Sequence, residues 1–203
     1  MKEKRKRPVL IAVSGLPGSG KSTLSEYIAK ETGISLICKD SVKEALFDTI
    51  GFQNRAEKTK LNNAALKIIF YIAEQVLKAG NSLILENNFE SNAYEYFKQL
   101  EEKCEVTFVT VLVCGDMKTI YNRYVKRNED PTRHRGHILS TCYPEREDTI
   151  GKIPIPISYE EFCDSFSKRG MTDFHVGDVI EVDVTDFDKV DYKAICDSIK
   201  LLL

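Results

Sequence analysis

The sequence predicts an α/β fold, a three-layer α/β/α sandwich built on a five-stranded parallel sheet. Short apolar runs alternate along the chain with stretches of helical periodicity. The chain has 203 residues, of which 42% are hydrophobic, a size and composition typical of one compact domain. Because the strands are short, apolar and separated by helices, we expect right-handed crossovers and helices on both faces of the sheet.

The predicted strands are mostly apolar and rich in β-branched residues, and they lie at residues 9–13, 34–38, 82–85, 106–113 and 179–184. The predicted helices show a 3.6-residue periodicity and lie at residues 21–30, 41–49, 58–78, 94–103, 117–127 and 190–203. The third helix stops before Gly80, as expected at a helix C-terminus. Residues 128–156 break the alternation, and no regular element is predicted there.

A glycine-rich loop follows the first predicted strand and opens the first helix. It completes the pattern G-x-x-x-x-G-K-[ST] with Gly15, Leu16, Pro17, Gly18, Ser19, Gly20, Lys21 and Ser22, and Thr23 follows. Glycines let successive N–H groups converge on phosphate oxygens at the positive end of the helix dipole. Lys21 is expected to reach the β- and γ-phosphates and Ser22 to ligate Mg²⁺. The sequence therefore predicts a site for ATP and Mg²⁺.

Charge and cysteine usage limit the partners and the compartment. The formal charge of −2 gives no overall field that would attract nucleic acid. Residues 1–7 form a basic tail, and a single domain is predicted at residues 8–203. The tail is interpreted either as a solvated terminus or as a contact for a phosphate-rich partner. No apolar segment is long enough for a membrane span, and the six cysteines form no C-x-x-C pair. We expect a cytoplasmic protein without a structural zinc site or disulfide framework.

Polar residues follow three of the predicted strands, where ligands bind in parallel sheets. Asp40 follows the second strand, which we expect beside the phosphate-loop strand, and its carboxylate suits a proton acceptor for a substrate hydroxyl. A helix N-cap explains Asp40 equally well from its position alone. Glu86 and Asn87 follow the third strand. Their side chains suit hydrogen bonds to an acceptor or to a water molecule bound to Mg²⁺. The alternative is that they form a polar turn before the next helix.

A cationic segment at about residues 123–140 is the candidate for a mobile lid. Arg123 and Arg127 share one helix face, and Arg133 follows in a loop that also contains His134, Arg135 and His137. Closed over ATP, the guanidinium groups of Arg127 and Arg133 would stabilise the transferring phosphoryl group. The alternative is a solvated basic helix end, which is stabilising by itself.

The chain resembles the small P-loop kinases grouped with polynucleotide 5′-hydroxyl kinase, chloramphenicol phosphotransferase and the zeta-toxin sugar-nucleotide kinases, all of the P-loop NTPase fold. The matching segments are SGLPGSGKST, CKDSVKEALFD, LILENNF, YNRYVKRNEDPTRHRGH and VDVTDFDKVDY. The resemblance implies an aspartate beside the acceptor at Asp40, an Arg-rich lid, and an adenine site near residues 183–186. Lys43 stands where polynucleotide kinases carry a substrate-binding arginine, and the loss of the bidentate fork disfavours a nucleic-acid end as substrate.

From these observations we expect an ATP- and Mg²⁺-dependent phosphotransferase that acts on a hydroxyl of a small-molecule or nucleotide-like acceptor. Two alternatives remain open from the sequence: a polynucleotide 5′-hydroxyl kinase, and a nucleotide-binding regulatory ATPase without an acceptor. The regulatory protein would not depend on Asp40 for its activity. Arg123 is expected to bind ATP, and Lys43 the substrate.

Overall fold

The computed structural model describes residues 7–147 and 150–203. Of the basic tail predicted at residues 1–7, only Arg7 falls within the described residues. Five strands form one parallel sheet in the order β2-β3-β1-β4-β5, which confirms the predicted fold class. They are β1 (Val9–Gly15), β2 (Ser35–Cys38), β3 (Leu83–Glu86), β4 (Thr107–Cys114) and β5 (Asp178–Asp183).

The expectation that the second strand lies beside the phosphate-loop strand is wrong. Strand β3 lies between them and pairs with β1 on one side and β2 on the other. Every residue of β3 is buried, whereas Ser35 of β2 is exposed and the rest of β2 is half-buried. A strand that is apolar on both faces suits the sheet interior, and the more accessible β2 suits the edge.

Eight helices are described, one of them within residues 128–156, where no regular element is predicted, and another directly after that region. Helices α6 and α7 were not predicted; the others match predicted helices with shifts at their ends. The helices are α1 (Lys21–Thr32), α2 (Lys39–Ile50), α3 (Arg55–Lys78), α4 (Tyr94–Lys103), α5 (Met117–Lys126), α6 (Arg135–Ile138), α7 (Tyr159–Lys168) and α8 (Tyr192–Lys200). Short 3₁₀ turns occur at Ser91–Ala93, Arg127–Glu129 and Phe187–Lys189.

Alternating side chains of β1 divide the core into two layers. Ile11 and its neighbours two residues away face α1 and α8, where Ile28 and Ile199 complete a buried aliphatic cluster. Leu10 and Ala12 face α3 and α4 in a cluster that is rich in phenylalanine. Both faces of the sheet are therefore covered by helices, and the ends of its strands are the expected place for a site.

A third cluster supports the phosphate loop from outside the sheet. Leu16 of the loop packs with Ile120 of α5 and with Phe162 and Phe166 of α7. Helix α7 begins in a capping box, in which Ser158 accepts a bond from the Glu161 N–H and Glu161 accepts one from the Ser158 N–H. The missed helix thus anchors α5, from which the lid candidate extends.

Replacing Phe97 of α4 by alanine is expected to destabilise the protein by about 3–5 kcal/mol, because the cavity left among packed rings cannot refill. Phe97 is 2% exposed. Its ring contacts those of Phe70, Phe89, Phe108 and Phe174. The free energy of unfolding in urea measures the loss. The control is Tyr71→Ala, because Tyr71 is 66% exposed. A change of under about 1 kcal/mol for Phe97→Ala would contradict the packing described.

Candidate functional site

The phosphate loop joins β1 to α1 and is closed to side chains at two of its glycines. Gly18 and Gly20 have φ of 90° and 84°, in the left-handed region that favours glycine. A Cβ at Gly18 would lie 2.8 Å from the backbone nitrogen of Tyr124, and one at Gly20 would lie 2.8 Å from the ring of Phe187. The loop is therefore a backbone cradle wedged between α5 and the turn after β5.

Lys21 lies inside this cradle. Its side chain is 6% exposed, and its ammonium donates to the Leu16 carbonyl oxygen at 2.8 Å. Burial lowers the pKa of Lys21 to about 8, an effect that the carboxylate of Glu86 partly opposes. The hydroxyls of Ser14 and Ser19 are also buried, without a hydrogen-bond partner among the described residues. A desolvated ammonium and two unpartnered hydroxyls fit a loop that receives phosphate oxygens.

The remaining predicted loop residues differ in their surroundings. Leu16 is a core residue whose side chain is 4% exposed, so its backbone, not its side chain, faces Lys21. Pro17 lines a cavity that extends away from the loop toward α3. Ser22 and Thr23 are exposed in the first turn of α1.

Ser22 and Glu86 form the oxygen pair that fits Mg²⁺. Sheet register places Glu86 opposite Val13 of β1 and Cys38 of β2. The Ser22 hydroxyl donates to Glu86 Oε2 at 3.3 Å, and the Cys38 thiol donates to the same oxygen at 2.7 Å. Burial and the Glu86 carboxylate raise the pKa of Cys38 to about 12, so this sulfur stays a neutral donor.

A hydroxyl and a carboxylate are donors suited to a hard cation, and Mg²⁺ takes its other ligands from phosphates and water in such sites. No cluster of three or more His, Cys, Asp or Glu that could hold a metal occurs in residues 7–147 and 150–203. Glu86 ends a strand and is buried. For Glu86, the alternative of a polar turn before the next helix is therefore wrong, whereas Asn87 lies directly after the strand.

Asp40 is the second residue of α2 and is not its N-cap. Cys38 occupies the cap position, without a side-chain cap bond, and the Asp40 carboxylate pairs with the Lys43 ammonium at 2.6 Å. Burial acts to raise the pKa of Asp40, but the ammonium groups of Lys43 and Lys39 hold it well below its usual range. The carboxylate is half-buried and ionised.

Asp40 opens into a cavity of about 280 Å³, which we call the phosphoryl cavity. Ser22, Glu86, Arg127 and Arg133 line the same space. The carboxylate predicted to accept a proton, the proposed Mg²⁺ oxygens and two predicted lid arginines therefore meet around one volume.

Arg127 and Arg133 carry unpartnered buried donors. The Nε atom of each is inaccessible to solvent and has no hydrogen-bond partner within the described part of the chain. Burial lowers the pKa of Arg127 to about 10, with Arg133 adding to the effect, and burial lowers the pKa of Arg133 as well. Both remain charged at neutral pH, and each has a donor free for an oxyanion.

Arg123 lies on the opposite side of the phosphate loop from Asp40. Its guanidinium donates to the Val184 and Thr185 carbonyl oxygens and stacks on the Phe187 ring at 3.8 Å from the centroid. Phe187 in turn contacts Gly20. This places Arg123 beside residues 183–186, the segment expected near adenine, and away from the phosphoryl cavity. Phe187 was missed by the sequence analysis.

The lid candidate lies against α2 and α3 and is not a uniform cationic loop. His134 pairs with Asp48 at 3.0 Å and His137 with Glu44 at 2.7 Å. Burial lowers the pKa of His137 to about 3, so its ring is neutral. Arg135 turns away and forms a bidentate pair with Glu145. Arg127 and Arg133 line the phosphoryl cavity together with His134 and His137, whereas Arg123 and Arg135 do not.

A second cavity, of about 460 Å³, lies between α3 and the segment after β3. We call it the asparagine cavity because Asn62, Asn63, Asn87, Asn88 and Asn92 line it. It contains the predicted substrate residues Lys43 and Asn87. Four further cations line it that no sequence pattern predicts: Lys39, Arg55, Lys58 and Arg169.

A middle cavity of about 380 Å³ connects the two spaces. Lys43 and Asn88 line both the middle and the asparagine cavities, and Asp40 lines both the middle and the phosphoryl cavities. Asp40 therefore lies at the boundary between the phosphate-binding side and the asparagine cavity.

Replacing Lys21 by methionine is expected to stabilise the unliganded protein and to abolish nucleotide binding. The fall in the pKa of Lys21 from 10.5 to about 8 corresponds to a cost of at most about 3 kcal/mol at neutral pH. Below pH 8 both the folded and the unfolded chain hold the proton, so the cost is complete. It decreases as the pH rises from about 8 toward 10.5, where the folded chain alone has lost the proton.

Urea unfolding at pH 7 and pH 10 measures this effect, with Lys30→Met in the exposed last turn of α1 as the control. The difference in unfolding free energy between Lys21→Met and the wild type should be larger at pH 7. A variant that is less stable than the wild type at both values would contradict the account of Lys21.

Comparison with known proteins agrees with this geometry. The family model described as an AAA domain matches residues 10–140. Among solved structures, a candidate kinase from Chloroflexus aurantiacus shares 25% identity with a TM-score of 0.75, over 98% of this chain and 100% of the other. No curated protein sequence matches the chain.

Two further structures share the fold at lower identity. The Mycobacterium tuberculosis APS kinase shares 14% identity with a TM-score of 0.54, over 97% of this chain and 98% of the other. The Acinetobacter baumannii shikimate kinase shares 13% identity with a TM-score of 0.54, over 98% and 93%. Within the described residues, every helix is too short or too polar to cross a bilayer. Because the family model spans more than half of its length, the chain belongs to the AAA domain family, and its fold is that of the P-loop kinases.

Proposed function

We propose that this protein is an ATP- and Mg²⁺-dependent phosphotransferase that moves the γ-phosphoryl group to a hydroxyl of a small-molecule acceptor. One observation carries the proposal. An ionised aspartate, Asp40, faces the same cavity as Ser22 and two half-buried arginines whose Nε donors are buried and unpartnered among the described residues, at the end of the phosphate loop. In that arrangement a phosphoryl group would lie in the cavity, with the Asp40 carboxylate on the side away from the phosphate loop.

The nucleotide side follows from the loop. Backbone N–H groups of residues 15–20 and the Lys21 ammonium would hold the β- and γ-phosphates, and Arg123 with Phe187 would border the base. Ser22 and Glu86 would hold Mg²⁺, which when bound supplies positive charge to the phosphate oxygens. The lid is proposed at about residues 123–140 of a domain at residues 8–203.

In the chemical step the protein positions the acceptor hydroxyl and the γ-phosphoryl group and forms no covalent bond itself. The acceptor hydroxyl donates to Asp40, its oxygen bonds to the γ-phosphorus as the bond to the β-phosphate oxygen breaks, and its proton passes to Asp40. Arg127 and Arg133 stabilise the charge on the phosphoryl oxygens. Because Asp40 is a weak base while paired with Lys43, its main contribution is to orient the hydroxyl until the oxygen becomes acidic late in a loose transition state.

Contacts of the lid with α2 and α3 support exclusion of water from the step. Lys58 of α3 donates to the carbonyl oxygens of His137 and Leu139, and Gly136 lies so close to Phe47 that a Cβ there would be 2.4 Å from its ring. A lid held at these points covers the phosphoryl cavity and limits hydrolysis of ATP.

The asparagine cavity favours a small acceptor over a polynucleotide end. None of the described residues that line it is aromatic, so it offers no platform for stacking a base. The fold shared with APS kinase and shikimate kinase, proteins named for small acceptors, agrees with this choice.

All six cysteines are unpaired, which supports a reducing compartment such as the cytoplasm.

Replacing Asp40 by asparagine is expected to lower kcat by about 10²–10⁴-fold, because the amide keeps the shape of the side chain but cannot accept the proton. The dissociation constant for ATP should change little, since the phosphate loop is intact. A coupled ADP-release assay with an accepted substrate measures kcat, and equilibrium dialysis measures ATP binding.

The matched control for Asp40→Asn is Asp164→Asn, which removes the same charge from an exposed position on α7. Wild-type turnover by Asp40→Asn would argue against the proposal and in favour of a regulatory ATPase or another base.

Replacing either Arg127 or Arg133 by glutamine is expected to reduce kcat by about 10³-fold, because a guanidinium with a buried, unpartnered Nε donor acts on charge that develops in the transition state. KM for ATP should rise much less than kcat falls. The control is Lys126→Gln, an exposed cation beside Arg127. Equal effects of Lys126→Gln and Arg127→Gln on kcat would show that overall lid charge, not contact with the phosphoryl group, is responsible.

A further inference from the structure

We propose, building on the kinase function above, that the acceptor is a polyhydroxylated small molecule that already carries a phosphate monoester. Its phosphate would bind among the cations of the asparagine cavity, with one of its hydroxyls beside Asp40. The product of the reaction would then be a bisphosphate and ADP.

The asparagine cavity contains positive charge without ion-pair partners. Lys39 is 6% exposed and lines the cavity, and its ammonium has neither an ion pair nor a hydrogen bond within residues 7–147 and 150–203. Arg55 and Lys58 likewise lack a carboxylate partner in that part of the chain, whereas Arg169 is paired with Glu90. Three cations without an ion-pair partner therefore face one space. The cost is largest for the buried Lys39, is smaller for the half-buried Lys58, whose ammonium donates to two carbonyl oxygens, and is small for the exposed Arg55; a bound anion would reduce it.

The pKa values of these groups report the same imbalance. Burial lowers the pKa of Lys39 to about 8, with Lys43 adding repulsion. Burial also lowers the pKa of Lys58 to about 8, with repulsion from Lys43, Arg55 and Arg133. A phosphate monoester carries close to two negative charges at neutral pH and would relieve both effects.

Amide side chains make up much of the lining of the asparagine cavity. The asparagines reach the cavity from three segments, including α3 and the turn that follows β3. An amide both donates and accepts hydrogen bonds, as a sugar hydroxyl does, so a ring of amides suits a polyol. Leu66 is the only apolar residue among the described ones that line the cavity, which leaves no surface for a nucleobase or an aromatic ring. The volume of about 460 Å³ accommodates a small sugar phosphate.

Lys43 links the asparagine cavity to Asp40. It lines the asparagine and middle cavities, and its ammonium holds the Asp40 carboxylate at 2.6 Å. If Lys43 turns to the phosphate of the acceptor, Asp40 loses the partner that most lowers its pKa and becomes a stronger base. Binding of the anion at one end of the acceptor would thus activate the carboxylate at its other end.

The test compares matched acceptors that differ only in one group: glucose 6-phosphate, glucose and gluconate, and ribose 5-phosphate, ribose and ribonate. Products are identified by mass and by ³¹P NMR after incubation with ATP and Mg²⁺. We expect transfer to a sugar phosphate of the panel, with a KM about 100-fold below that of its neutral sugar, the gain typical of charge-assisted recognition.

Variants then locate the phosphate. Lys39→Met and Arg55→Met are expected to raise KM for the sugar phosphate about 10-fold or more, with little change in kcat or in KM for ATP. The matched control is Lys60→Met, because Lys60 is an exposed cation of α3 outside the three cavities. Calorimetric titration of glucose 6-phosphate and ribose 5-phosphate into Asp40→Asn, with a non-hydrolysable ATP analogue present, measures binding without turnover.

The outcomes separate this inference from the kinase function. The inference is overturned if neutral sugars are phosphorylated as efficiently as their phosphates. It is also overturned if Lys39→Met and Arg55→Met leave KM for the sugar phosphate unchanged. In both cases the proposed kinase function still stands. Transfer to a sugar acid but to no sugar phosphate overturns the assignment of the anion as phosphate. Binding of a sugar phosphate that is lost in Lys39→Met, without transfer in the wild type, supports the anion site and refutes the kinase.

Discussion

Buried positive charge without matching negative charge is the constraint on which the site depends. Burial lowers the pKa of Lys21, Lys39 and Lys58 to about 8 and that of Arg127 to about 10. Each of these cations loses hydration on folding, and Asp40 and Glu86 are too few to compensate them. The sealed apolar layers on both faces of the sheet must supply the stability that this cluster costs. The protein is thus preorganised for ligands that bring several negative charges.

The parallel sheet determines where this charge collects. Since all five strands run in one direction, their carboxyl ends meet at one edge, and β3 between β1 and β2 places Glu86 between the phosphate loop and α2. Helix α2 starts directly after β2, so Lys39, Asp40 and Lys43 share its first turns. This arrangement puts the nucleotide side and the asparagine cavity on opposite sides of one carboxylate.

Local sequence was enough to predict part of this structure. The phosphate loop and the five strands follow from motif and periodicity, because each depends on neighbouring residues, whereas the roles of Asp40, Arg127 and Arg133 stay predictions. The place of β2 at the sheet edge depends on pairing with a strand about 45 residues away and was predicted wrongly. Helix α7 was missed although its capping residues stand in the sequence, because the proline-rich segment before it was read as irregular. The asparagine cavity is formed by residues from distant segments, such as Arg55 and Arg169, whose proximity no local pattern encodes.

A crystal structure with a non-hydrolysable ATP analogue and Mg²⁺ tests the central claim most directly, namely that Asp40 faces the γ-phosphoryl group across a cavity closed by two arginines. The account predicts γ-phosphate oxygens within hydrogen-bond distance of Arg127 and Arg133, the metal on Ser22, and the Asp40 carboxylate opposite the bond that breaks. A γ-phosphate that points away from Asp40, with both arginines out of reach in a closed lid, would contradict it.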